Sequence, residues 1–326
     1  MKLPKRLSDI LAQKQSFLDL QRNKLEASIV RQQSKLLNDL ISEIVPGLDI
    51  KDGIIQETVN NYKQIAVLDK VYKTASLSAN TAIFTQVVET TNKIGKLTKK
   101  YFEAVIDPDI ASRLASVMTK TDRLINLRIG LDGGKMVRGG FIESLFTSNP
   151  MGVDLKKFTA KAVTGHMNIK DYTKGLKGIV DGVDKKLGGY ERQFQRYAFD
   201  IYQQYDAAYN KTIGNELGFK YFIYQGGLVQ DSRDFCREHN SHVYSVIESE
   251  SWPTWTPSQA IFITEFHDSG WEPNKTPSYL GYLGYDPLID RGGYNCRHTL
   301  GWIPDAIAFK MRPDLKIIKE VVNKLT

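Results

Sequence analysis

The chain has 326 residues, 41% of them hydrophobic and 25% charged, with a net charge of +7. That is enough chain for two domains around real cores. No apolar run reaches the about 18 residues of a membrane span, and two cysteines are too few for a disulfide framework. The stretch MKLPKRLSDILAQKQSF lacks the apolar segment of a signal peptide, so a protein made and folded in a reducing cytosol is expected.

Charge is unevenly spread. From Leu217 to Asp305 six Lys and Arg stand against eleven Asp and Glu, a net −5 that leaves +12 on the remainder. A basic N-terminal body suits nucleic acid or an acidic protein surface. Lysines that only keep a helical protein soluble would give the same count.

In chain order, Leu7, Ile10, Leu11, Phe17, Leu18, Leu25, Ile29, Leu36, Leu40 and Ile44 recur at helical spacing, and IVPG ends the run. DGIIQETVNNYKQIAVLDKVYKTASLSANTAIFTQVVETTNKIGKLTKKYFEAVI predicts two or more further helices. Asp107 and Pro108 open another. GLDGGKMVRGG follows, with Lys135 and Arg138 among its glycines. Only three residues separate Gly130 from Gly134, and Met136 follows Lys135, so this is a loop and not a phosphate-binding Walker turn.

Helical spacing returns in FIESLFTSNP, VDLKKFTAKAVTGH and KDYTKGLKGIVDGVDKKLGG. It continues in YERQFQRYAFDIYQQYDAAYNKTIGNELG, where Phe194, Tyr197, Ile201, Tyr205 and Tyr209 form a stripe read as core and Gly218 as the C-cap. KYFIYQGG then reads as a strand. All four tryptophans, and six of eleven prolines between Pro253 and Pro304, lie beyond it. The predicted class is α+β: a predominantly helical, basic region over 1–217, then a small α+β domain over 218–326 with long loops and a short C-terminal helix in DLKIIKEVVNKLT.

Both cysteines and four of the five histidines fall in that second part. Cys236 with His239, and Cys296 with His298, supply two thiolates and two imidazoles, a sufficient set for tetrahedral Zn²⁺ in a structural role. His242 is an alternative to His239. A Cys236–Cys296 disulfide and simple burial of both thiols stand beside the metal. EHNSH superficially resembles a histidine–asparagine–histidine nuclease, with Asp231, Asp234 and Glu238 as carboxylates, but a closed Cys₂His₂ set leaves no position for water. No Gly-x-Ser-x-Gly elbow or His-Glu-x-x-His helix occurs. A non-enzyme is expected.

DSRDFCREHNSHVYSV, followed about sixty residues on by GGYNCRHTLGWIP, resembles the C-terminal signature of the phage Mu F-like minor head (head morphogenesis) proteins. Asp231, Arg233, Cys236, His239, Asn295, Cys296, Arg297 and His298 occupy the matching positions. The resemblance covers about 187–306. Asp234 replaces the family's usual threonine, Gly292-Gly293-Tyr294 replaces Pro-x-His-Pro, and the Trp/Pro-rich insert from Glu248 to Pro287 is longer than usual.

The resemblance implies a virion component inside the capsid near the portal, with portal and other capsid proteins as partners and packaged double-stranded DNA as a non-specific one. Asp231, Arg233, Asn295 and Arg297 would be the structural motif around the Cys/His cluster. Two alternatives go with it: a metal-dependent nuclease delivered with the genome, and a DNA-independent portal adaptor.

Overall fold

The computed structural model describes residues 3–138, 143, 150–183, 186–189, 201–230, 232, 234–250, 252, 286, 288–289, 291 and 296–316. Long helices dominate, and the short strands gather in small sheets, as the α+β reading expects. Helix α1 is Lys5–Ile44. Nine of the ten apolar positions of its predicted stripe are buried, Phe17 being half-buried. A 3₁₀ turn, Val45–Gly47, ends it at the proline.

A hairpin of β1 (Ile50–Lys51) and β2 (Ile54–Ile55) leads to α2, Val59–Val105. Here the structure departs from the sequence reading, because one helix of 47 residues replaces the two or more expected. The Thr, Asn and Val residues that suggested breaks are weak helix formers, but the segment holds no proline. Thr81 and Thr85 return their hydroxyls to the carbonyls four residues back, which leaves the ladder running.

Helix α3, Pro108–Arg128, begins as predicted with Asp107 extended before it, though the Asp107 side chain makes no capping bond. The glycine-rich stretch forms a hairpin, β3 (Leu131–Asp132) against β4 (Lys135–Met136). Gly133 and Gly134 both take positive φ at its tip, the conformation that two-residue hairpin turns require. Lys135 is exposed there.

Helices α4 (Met151–Thr164) and α5 (Ile169–Val180) follow, then the hairpin β5 (Gly182–Val183) and β6 (Lys186–Leu187). Helix α6 is Ile201–Glu216, and the chain leaves it at Gly218 with φ +78°. Ile201, Tyr205 and Tyr209 are buried as core. Phe194 and Tyr197 lie outside the described residues, as do nearly all of FIESLFTSNP and of the tail beyond 316.

The C-terminal segment supplies one three-stranded antiparallel sheet of order β8-β7-β9. Its strands are β7 (Tyr221–Gln225), β8 (Val243–Ser245) and β9 (Thr299–Ile303). Between β7 and β8 lies the short helix α7, Asp234–His239; α8 (Val246–Glu250) follows β8 and α9 (Asp305–Met311) follows β9. Phe222 stands in register between Tyr244 and Trp302, so three large rings share one face of the sheet.

The chain forms two compact units that interleave in sequence. One takes Met1–Gln21, Thr90–Ile142 and Phe199–Thr326; the other takes Arg22–Glu89 and Glu143–Ala198. The 217/218 position therefore falls inside a unit. The reason is physical: the sheet has apolar faces that its own segment does not cover. Trp302 packs on Gly214 of α6, and Gly301 lies against Leu11 of α1 and Tyr101 of α2. The Tyr101 hydroxyl donates to the Trp302 carbonyl at 2.8 Å.

In the second unit, the turn after α1 is built on buried Asn61. Its Oδ1 accepts from the Asp49 N–H at 2.7 Å, and its Nδ2 donates to the carbonyls of Asp49 and Gln56. Phe158 of α4 stacks on Tyr172 of α5 with centroids 5.7 Å apart. Among the described residues no helix is long and apolar enough to cross a membrane.

Candidate metal centre

The two cysteines, 60 residues apart in sequence, meet inside the first unit. Cys236 is carried by α7; Cys296 and His298 lie on the approach to β9. Hydrogen bonds on both sides of β7 fix this meeting. Tyr224 N–H donates to the His242 carbonyl at 3.0 Å, and the Tyr224 carbonyl accepts from Ser241 at 2.7 Å, which seats α7 beside the strand. Tyr224 is also in register with Leu300 of β9.

The Cys236 and Cys296 sulfurs are 4.0 Å apart, and Cys296 Sγ is 3.7 Å from His298 Nδ1. The three residues are 3%, 4% and 2% exposed, and their ligand atoms all lie within 4.8 Å of one another. This is a buried group able to hold a metal ion. Its spacing fits one: sulfurs on a tetrahedral zinc at ~2.3 Å stand about 3.8 Å apart, and a sulfur and an imidazole nitrogen about 3.6 Å. A disulfide needs sulfurs at about 2.05 Å, far closer than the 4.0 Å between these two.

Electrostatics favour a thiolate at Cys296. The hydrogen bond with Cys236 holds its thiol well below the ordinary range against the effect of burial, with help from His298 and the positive charge of Arg291. Arg291 is itself buried. Its guanidinium donates to the His298 carbonyl and, at 3.0 Å, to the Gln203 carbonyl of α6, tying the Cys296–His298 segment to that helix. His298 Nε2 is buried without a hydrogen-bond partner among the described residues.

His239, the fourth ligand expected from the sequence, is not in the group. Its Nδ1 is within 2.7 Å of the Phe235 carbonyl one turn back, and its ring stacks on Phe235 at 4.0 Å between centroids, with Trp252 edge-on at 4.7 Å. His242, the alternative, is exposed, with Nδ1 at 2.8 Å from the Glu238 carbonyl. Tyr224 comes near instead: its hydroxyl is 3.5 Å from each sulfur, and its ring stacks on His298 at 4.8 Å. Asp231, Arg233 and Asn295 lie outside the described residues. Arg297 is half-buried beside Cys296.

Sequence reasoning missed Tyr224 and Arg291. Strand alternation placed Tyr224 on one face of β7 with Phe222, but nothing in the sequence says that the cysteines meet on that face.

Burial lowers the His239 pKa, only partly opposed by its hydrogen bond to the Phe235 carbonyl. The folded protein therefore prefers neutral His239, while the unfolded chain takes up a proton near about pH 6.5. Stability from this group is complete above that pH and is lost as pH falls through the depressed folded value. The urea midpoint is expected to fall below about pH 6.5, and His239→Phe, which keeps the ring stacking, is expected to lack that part of the fall.

No family model, curated protein or solved structure matches this chain.

Proposed function

We propose that this chain is a phage minor head protein that works without catalysis, from inside the capsid near the portal, with its C-terminal lobe fastened by a structural zinc ion. The meeting of Cys236 with Cys296 carries the reading, since these are the signature positions of the resemblance and they close a segment otherwise rich in loops. The thiols and His298 would hold the zinc; the ion would supply a crosslink in place of a larger core. Burial of all three side chains keeps water from an open coordination position, which supports fastening over hydrolysis.

In this reading the basic helices neutralise DNA phosphates without reading bases. Lys93, Lys96, Lys99 and Lys100 of α2 are exposed, as are Lys157 and Lys161 of α4. Electrophoretic shift of duplex DNA at rising salt tests this. Affinity is expected to fall steeply with salt, and changing α2 lysines to alanine to flatten the slope by about 0.9 for each phosphate no longer neutralised. Binding that ignores salt would remove the DNA contact and leave the portal-adaptor reading. Plasmid cleavage with Mg²⁺, Mn²⁺ or Zn²⁺ would overturn the non-enzymatic reading in favour of a delivered nuclease.

A further inference from the structure

We infer that Tyr224, and not His239, is the fourth ligand of the metal centre, which makes it a closed site of two thiolates, one imidazole and one phenolate oxygen. This rests on the proposal that the cluster holds a metal. The first support is distance. A phenolate oxygen and a thiolate sulfur on one tetrahedral zinc stand about 3.5 Å apart, and Tyr224 Oη is 3.5 Å from Cys236 Sγ and 3.5 Å from Cys296 Sγ. One atom equidistant from both sulfurs, with the sulfurs 4.0 Å apart, completes a triangular face of a tetrahedron.

The second support is rigidity. Tyr224 sits on the central strand, hydrogen-bonded towards β8 and in register with β9, and its ring is buried and stacked on His298. The hydroxyl is thus held at the cluster by the same backbone that brings the cysteines together.

The third support is exclusion of the alternative among the described residues. His239 has no ring nitrogen within the group, whose ligand atoms all lie within 4.8 Å of one another, and its ring is clasped by Phe235 and Trp252. Reaching the sulfurs would mean breaking that stack. Carboxylates are absent from the group of ligand atoms around Cys236, Cys296 and His298.

On binding, Cys296 enters as a thiolate, the Cys236 S–H and Tyr224 O–H bonds break, and their two protons pass to solvent. The electron pairs left on sulfur and oxygen, with the lone pair of His298, form the four bonds to the cation. No oxidant or reductant is involved.

The test uses the full chain, its Tyr224→Phe and its His239→Phe variants, each keeping an aromatic ring in place. Zn²⁺ affinity is measured by competition with a chromophoric chelator, Co²⁺ serves as the spectroscopic probe, and an ultraviolet difference spectrum reports conversion of phenol to phenolate. Tyr224→Phe is expected to weaken Zn²⁺ by more than about 100-fold, beyond what loss of an outer partner costs. It should also alter the Co²⁺ ligand-field bands and abolish a phenolate signal present in the parent chain. His239→Phe is expected to change none of these. Parent-like affinity and Co²⁺ bands in Tyr224→Phe, or a Zn²⁺ loss in His239→Phe, would overturn the assignment while leaving a metal centre in place. A parent chain that binds neither ion would overturn the zinc proposal itself.

Discussion

Asp206→Asn is expected to destabilise the protein by about 3–5 kcal/mol, the cost of leaving one member of a buried ion pair without its partner. Asp206 lies on α6 and its Oδ1 is 2.6 Å from Lys14 Nζ of α1, both side chains 0% exposed. Burial pulls the Lys14 ammonium below the usual lysine range, while the Asp206 carboxylate pulls it back up. Asp206 also accepts from Thr299 of β9 at 3.2 Å and from Asn210 at 3.0 Å, so one carboxylate gathers α1, α6 and the sheet. An amide in its place keeps an acceptor for Thr299 but offers no charge to Lys14. Lys14→Met with Asp206→Asn is therefore expected to return most of the loss, because a neutral pair has no uncompensated charge to bury. Urea unfolding of the two single variants and the double variant checks this. Costs that simply add would mean that the two groups do not depend on each other.

Trp302→Ala is expected to cost a similar ~3–5 kcal/mol, the range for deleting a large buried aromatic. Its ring is fully buried, lies 5.7 Å from Phe222 between centroids, and rests directly on the backbone of α6 at Gly214. A Cβ at Gly214 would meet the indole at 2.5 Å, so Gly214→Ala is expected to cost about 1–3 kcal/mol by overpacking. In a Trp302→Leu background that cost should largely vanish, since the space the indole filled is then available. A Gly214→Ala penalty of equal size in both backgrounds would show that helix propensity or backbone strain, and not the indole, sets it.

What the sequence made legible follows from local rules. The apolar stripe of α1, the proline that ends it, the opening of α3 at Asp107-Pro108, the Gly218 exit and strand β7 each depend on neighbours a few residues away, and each is found where expected. Helix α2 was less legible, because Thr, Asn and Val lower helix propensity only slightly and tertiary burial outweighs them. The cysteines and His298 could be picked out by rarity and spacing. His239 was the natural fourth choice, since a CxxH pair on a helix shares a face, yet its ring packs between Phe235 and Trp252 and stays outside the group. Tyr224, Arg291 and the Lys14–Asp206 pair carried no local signal. Their roles arise from which faces meet across 60 to 200 residues of chain.

That distance has a bearing on how the molecule is made. Lys14 emerges from the ribosome almost 200 residues before Asp206, and Leu11 almost 300 before Gly301 against which it packs. The first unit can close only once its last strand has been synthesised, so the leading end of α1 must wait with its apolar stripe exposed. Nascent chains halted before residue 299 would then be the form most in need of a chaperone, whereas both segments of the other unit, Arg22–Glu89 and Glu143–Ala198, have been made once residue 198 is added.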